Sequence, residues 1–189
     1  MLGKMIVFSA PSGAGKTSIV KALLEKFKWL EFSVSATSRA SRPGETNGID
    51  YFFIEKEEFV SRIERGDFLE WEEVYKDNFY GTLLSEVERM WQKGHLVVFD
   101  VDVAGGINIK KKFSSAVLSV FVMPPSLEIL EERLRGRNTE TDDSLRKRIM
   151  KASKELEYAK DFDHIVVNDQ LHEAIEEAAK LVQAFAGKP

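Results

Sequence analysis

Unbroken apolar runs punctuate the chain: Met5-Ile6-Val7-Phe8, Leu96-Val97-Val98-Phe99, Val117-Leu118-Ser119-Val120-Phe121-Val122 and Ile165-Val166-Val167. Their lack of polar alternation predicts strands covered on both faces, as in a parallel sheet packed between helices. Helical spacing follows each run. Ile19, Leu23, Leu24 and Phe27 form one stripe, and Leu127, Leu130 and Leu134 another, behind Ser126. Ser126 follows Pro124-Pro125 and has N-cap chemistry. The final stripe, Leu171, Ala174, Ile175, Ala178, Leu181, Val182 and Phe185, is expected to stop near Gly187. The alternation predicts an α/β fold with a doubly wound parallel sheet core.

The pattern changes between about residues 33 and 82. Phe32-Ser33-Val34-Ser35 and Tyr51-Phe52-Phe53-Ile54 read as half-buried strands, and Phe68 to Tyr75 alternates apolar with acidic side chains. A helical segment at about 55–65 lies among them, and Arg42-Pro43-Gly44 and Asn47-Gly48 mark turns. A small, mostly β insertion at about 34–82 is predicted within a single domain whose core spans 1–33 and 83–189. No internal repeat or low-complexity stretch is present.

Composition narrows the chemistry. The 189 residues are 43% hydrophobic and 31% charged, ordinary for a globular chain with a real core. The absence of Cys excludes thiolate nucleophiles, thiolate zinc sites and disulfides, and the three His lack metal-ligand spacing. No apolar run approaches about 18 residues, and no charged-then-apolar leader is seen, so the cytoplasm is the simplest location. A net charge of -4 argues against a general nucleic-acid binder.

The stretch Ser9-Ala10-Pro11-Ser12-Gly13-Ala14-Gly15-Lys16-Thr17 matches the phosphate-binding pattern G-x-x-x-x-G-K-S/T except that Ala10 replaces the first glycine. It sits between a strand and a helix, as such a loop requires. Backbone amides at the helix start would line an anion nest, Lys16 would reach the β- and γ-phosphates, and the Thr17 hydroxyl would hold Mg²⁺. Ala10 is tolerable if its φ stays negative, to which Pro11 already biases it. A plain glycine-rich turn with a surface lysine is the structural alternative. Downstream, Val97-Val98-Phe99-Asp100-Val101-Asp102 resembles a Walker-B strand with Asp100 near the metal. Asp100 and Asp102 would share one face if the strand continues.

Arginines form the third group. Arg39 and Arg42 lie in a loop-like stretch, and Arg133, Arg135, Arg137 and Arg148 cluster later. Arg133 and Arg137 fall on one helical face if the helix persists. The polar, glycine-punctuated segment Gly136 to Asp142 reads as part of a mobile cover, or lid, at about 126–150. Forked guanidinium groups suit the charge that develops in phosphoryl transfer. The alternative is a solvated face paired with Glu131, Glu132 and Asp143.

In order along nearly the whole chain stand "SAPSGAGKT", "FSVSATSRASRPGETNGIDYFF", "FLEW", "FYGT", "FDVD", "PPS", "RLRGRNTET", "RKR" and "VVND". This ordered series resembles the guanylate kinase family. The resemblance implies a P-loop core, a GMP-binding insertion and a lid, with transfer of the ATP γ-phosphate to GMP and, as no residue is assigned to the ribose, to dGMP as well. It implies ATP binding by Ala10, Pro11, Ser12, Gly13, Ala14, Gly15, Lys16, Thr17, Ser18 and Asn168. Ser35, Arg39, Arg42, Tyr51 and Tyr80 match positions that grip the GMP phosphate, and Glu70, Thr82 and Asp102 those that read guanine. Lys16, Arg39, Arg133, Arg137 and Arg148 match the cationic transfer groups, and Thr17 and Asp100 the Mg²⁺ site. A carboxylate at Glu70 can accept from guanine N1–H and N2–H₂ together, a donor pair adenine lacks. Val103-Ala104-Gly105-Gly106 departs from the family, which more often has a glutamine before a single glycine. The implied partners are nucleotides, with no nucleic acid, membrane or protein partner. Two readings compete: a related scaffold domain that binds phosphopeptides without catalysis, and a kinase for another phosphorylated acceptor such as a ribosyl phosphate.

Overall fold

The computed structural model describes residues 3–136 and 142–188, with the backbone alone at Tyr75 and 142–144. The chain runs β1 (Met5–Ser9), α1 (Lys16–Lys26), β2 (Leu30–Phe32), β3 (Ala36–Thr37), β4 (Phe52–Phe53), α2 (Lys56–Arg65), β5 (Phe68–Tyr75), β6 (Asn78–Leu83) and α3 (Leu84–Gln92). It continues as β7 (Leu96–Asp100), α4 (Val103–Phe113), β8 (Val117–Met123), α5 (Leu127–Arg135), α6 (Asp142–Leu156), β9 (His164–Val167) and α7 (Leu171–Ala186).

The larger sheet has the order β2-β7-β1-β8-β9, every pair parallel. Alternate side chains of β1 enter two different cores. Ile6 and Phe8 join Ile19, Leu23, Leu130 and Val182 on one face, while Met5 and Val7 join Val87, Met90 and Ile109 on the other. Strands β1, β7 and β8, buried on both sides, leave no place for polar alternation, which is why their apolar runs are continuous. The run Ile165-Val166-Val167 was expected to be covered likewise and is not: β9 is the edge strand, and Ile165 and Val167 are exposed while Val166 is buried. The doubly wound α/β core is as expected. Ser126 caps α5 by accepting from the Ile129 amide at 3.3 Å, and Gly187 at φ +66° ends α7.

The smaller sheet has the order β4-β3-β6-β5, with β3–β4 parallel and the other pairs antiparallel. Its far face packs on α2 through Ala36, Phe59, Phe68 and Leu83, with Phe59 and Phe68 stacked at 4.3 Å. Two expectations need correction. Phe32 belongs to the large sheet, opposite Val98, and the extended run breaks after it: the Ser33 amide still bonds the Val98 carbonyl at 2.9 Å, then the chain crosses to β3. The strand at 51–54 shortens to Phe52–Phe53. Strand β6 has Phe79, Tyr80 and Leu83 but shows no continuous apolar run, because Gly81 and Thr82 interrupt it. A Cβ there would come within 2.7 Å of the Glu70 carbonyl, so only glycine lets β5 and β6 close up.

Candidate active site

The loop after β1 is shaped by its glycines. Gly13 and Gly15 adopt φ +95° and +92°, and among the described residues the only other-than-glycine positive φ values are at Asp77 and Ser114. Ala10 thus keeps an ordinary backbone, and is buried at 8% exposure. Its methyl takes no donor from the loop. Gly15 has a second constraint, since a Cβ would sit 2.1 Å from the Asn168 amide nitrogen. That amide donates to the Ala14 carbonyl at 2.7 Å, so the turn after β9 props the loop from behind. Arg133 in turn donates to the Asn168 carbonyl at 3.0 Å and the Asp169 carbonyl at 3.4 Å. Here its fork holds that turn.

Lys16 and Thr17 open α1. The Lys16 ammonium pairs with Asp100 at 2.5 Å and donates to the Val101 carbonyl at 2.7 Å, while the Thr17 hydroxyl lies 3.3 Å from the other Asp100 oxygen. A cavity of about 410 Å³ opens over the loop, walled by residues 10–13 and 15–18, by Asp100 to Asp102, and by Arg148, Lys151 and Glu155 from α6. Ala14 is fully buried beneath it. Lys151 and Glu155 were not foreseen, since nothing in the α6 sequence fixes which face meets the loop. Burial raises the Glu155 carboxyl above its ordinary value against the pull of Lys151.

The Walker-B-like segment departs from expectation. Strand β7 ends at Asp100, and Asp102 turns to cap α4, accepting from the Gly105 amide at 2.8 Å. Asp100 and Asp102 therefore do not share a strand face. The double glycine has a steric cause: a Cβ on Gly106 would lie 2.3 Å from Ser9 Oγ and 3.1 Å from Val7. Glycine lets α4 press against β1, and Ser9 Oγ donates to the Asp102 carbonyl at 3.0 Å.

A second cavity, about 230 Å³, lies between Asp100 to Asp102, Gly105 and the near face of the small sheet. Ser35, Tyr51, Glu70, Glu72, Val74 and Tyr80 line it. The Thr82 hydroxyl donates to Glu70 at 2.7 Å, and Thr82 is wholly buried. Burial, reinforced by Asp102 and Glu72, holds the Glu70 carboxyl above the usual glutamate value despite the Thr82 hydrogen bond and Lys112. Arg39 Nε donates to the Tyr80 hydroxyl at 3.2 Å, and its guanidinium lies 5.0 Å from the Tyr51 ring centre. Its two terminal nitrogens clasp Glu45 at 2.6 and 2.7 Å. The same carboxylate takes the Arg42 amide at 2.7 Å, and the Arg39 clasp, backed by that amide, holds Glu45 down to about 2. Arg42 itself is exposed. Glu45 was missed, although three residues after Arg42 in a Pro-Gly turn is a position from which a carboxylate can fold back. Glu72 was missed too, although period-two spacing from Glu70 puts it on the same face. Arg137 lies outside the described residues.

The two cavities share Asp100, Val101 and Asp102 as a common wall. Residues 2–185 match the family described as guanylate kinase. The chain belongs to the guanylate kinase family. A curated guanylate kinase of Bacteroides thetaiotaomicron is 50% identical over 188 residues, covering 100% of this chain and 92% of its own length. That of Salinibacter ruber is 50% identical over 181 residues, covering 96% of each chain. The crystal structure of guanylate kinase from Anaplasma phagocytophilum superposes with a TM-score of 0.76 at 30% identity, covering 99% of this chain and 88% of that one. Guanylate kinases are ATP:GMP phosphotransferases, and the α/β core with its P-loop is the scaffold on which this member carries that chemistry. No helix of the described residues is long and apolar enough to cross a membrane.

Proposed function

We propose that the larger cavity takes ATP, the smaller takes GMP or dGMP, and the phosphates meet at the Asp100–Asp102 wall, in the cytoplasm. The observation that carries this is the shared wall itself, which would set two nucleotides phosphate to phosphate. Residues 34–82 act as the acceptor-binding unit, residues 1–33 and 83–189 as the core, and about 126–150 as the lid. Positions 10–18 and Asn168 hold ATP. Ser35, Arg39, Arg42, Tyr51 and Tyr80 grip the GMP phosphate, and Glu70, Thr82 and Asp102 read guanine.

One GMP phosphate oxygen attacks the γ-phosphorus in line. The bond from that phosphorus to the oxygen bridging it to the β-phosphorus breaks with its electron pair, leaving ADP and GDP. The attacking oxygen is already anionic, so no general base is required, and catalysis is positioning and charge stabilisation. Lys16 leaves Asp100 for the β- and γ-phosphates, and Arg39, Arg133, Arg137 and Arg148 balance the charge of the moving group. Thr17 and Asp100 fit Mg²⁺: hydroxyl and carboxylate already sit together at the nest, and the described residues offer no cluster of metal-binding side chains that would trap an ion without phosphate. Bound there, the ion would neutralise phosphate charge.

A phosphopeptide scaffold is disfavoured by the intact nest and Lys16. A ribosyl phosphate acceptor would leave the buried Thr82–Glu70 pair without purpose. A coupled assay with GMP, AMP, CMP and UMP tests the reading. GMP is expected to exceed AMP by about 10²–10⁴ in kcat/KM. Equal turnover of GMP and AMP would overturn it.

A further inference from the structure

Strand β5 carries another acid on the cavity face. In its regular stretch Glu70 pairs with Thr82, Trp71 with Gly81, Glu72 with Tyr80 and Glu73 with Phe79. Trp71 and Phe79 meet at 6.2 Å, and Phe79 packs with the α2-facing core, so that side of the sheet is spoken for. Glu70, Glu72, Tyr80 and Thr82 therefore share the opposite face, and all but Thr82 line the small cavity. The pairs are ordered: Glu70 with Thr82 at one position, Glu72 with Tyr80 the next same-face step along, about 7 Å away.

In the reading proposed above, on which this inference rests, the first pair faces the base and Tyr80 faces the phosphate. In a nucleotide the sugar joins those two ends. We infer that Glu72 is the ribose-reading residue of the acceptor site and that it makes this enzyme prefer GMP over dGMP. The 2′- and 3′-hydroxyls are neighbouring donors, and the two oxygens of a carboxylate accept them together. Acidic side chains read a ribose in this way at dinucleotide sites. The deoxy nucleotide keeps a single hydroxyl and cannot fill both oxygens. Glu72 sits exposed at the rim, with Glu70 beside it on the strand and Asp102 and Lys151 facing it from the core; partial burial and Asp102 raise its carboxyl above the ordinary glutamate value, against the pull of Lys151. dGMP remains a substrate, a weaker one.

Glu72→Gln and Glu72→Ala, each assayed with GMP and dGMP at saturating ATP, test this. Wild type is expected to show a lower KM for GMP than for dGMP. In Glu72→Ala the KM for GMP rises about 10-fold, the KM for dGMP, which loses a single hydroxyl contact, rises less, and both kcat values hold, so the preference collapses. Glu72→Gln, which keeps one acceptor oxygen, falls between. A preference unchanged in Glu72→Ala, an equal loss for both nucleotides, or a fall in kcat with KM unmoved would each overturn the inference. A wild-type enzyme that does not favour GMP over AMP would instead bring down the acceptor reading itself.

Discussion

The two halves of the site are built from different materials. Over the P-loop the floor is a backbone loop, fixed by left-handed Gly13 and Gly15 and pinned by buried Ala10 and Ala14, under walls that include Lys16, Asp100, Arg148 and Lys151. Across the shared wall the small sheet offers side chains: Glu70, Thr82, Tyr51, Tyr80 and Arg39, carried on a sheet whose own core is a handful of residues around Phe59. The contrast follows from what each half must recognise. A polyphosphate looks alike on every nucleotide, and amides with one lysine are enough for it. Choosing a purine needs hydrogen-bonding groups placed against particular edges, and backbone alone cannot vary enough to do that.

The comparison can be broken at either end. The largest effect is expected from Lys16→Ala, which removes the charge now held by Asp100 and Val101. By analogy with losing one preorganised transition-state donor, kcat should fall by about 10²–10³, with the KM for GMP little changed in steady-state assays. A loss appearing mainly in the GMP KM would blur the division into halves.

Glu70 gives the next effect. Glu70→Gln should raise the KM for GMP by about 10²-fold and leave the KM for ATP alone. Since the folded Glu70 carboxyl titrates above an ordinary glutamate, it is protonated earlier as the pH falls. The KM for GMP is expected to climb on acidification through that raised value, and Glu70→Gln should remove this part of the profile. An identical acid limb for ATP would place the titrating group in the donor half instead.

The same contrast explains what was legible in the sequence. Strands β1, β7 and β8 announced themselves because burial on both faces demands continuous apolar residues, β9 kept an apolar run although only Val166 is buried, and the loop announced itself because only glycine adopts its φ values. Strand β6 gave no such signal, since Gly81 serves a backbone approach. The break after Phe32 depends on where the Val98 ladder ends, a pairing that local composition does not encode. Asp102 was found by resemblance, yet its capping of α4 rests on the fit of Gly106 against Ser9, visible only when helix and strand are brought together. Within a strand the acceptor residues keep period-two spacing, Glu70 with Glu72 and Tyr80 with Thr82, but β5, β6, the Arg39 loop and Tyr51 are brought together only by the sheet, so residue chemistry alone grouped few of them.

The smallest effect is expected at Glu45. Its two-pronged clasp on Arg39 orients that fork from a half-buried position, but Glu45 is an anion and would itself touch no phosphate. Glu45→Gln should raise the KM for GMP by about threefold and leave ATP untouched. A tenfold change would mean that the acceptor half depends on this turn as strongly as on Glu70.

The support behind the P-loop runs in series: Arg133 holds the Asn168 carbonyl, and Asn168 holds the Ala14 carbonyl. Were Arg133 to swing toward the phosphates, the rear strut would slacken at the moment a polyphosphate arrives at the front. The nucleotide would then become the keystone of its own cradle, and an emptied loop would stiffen again only once the arginine had returned.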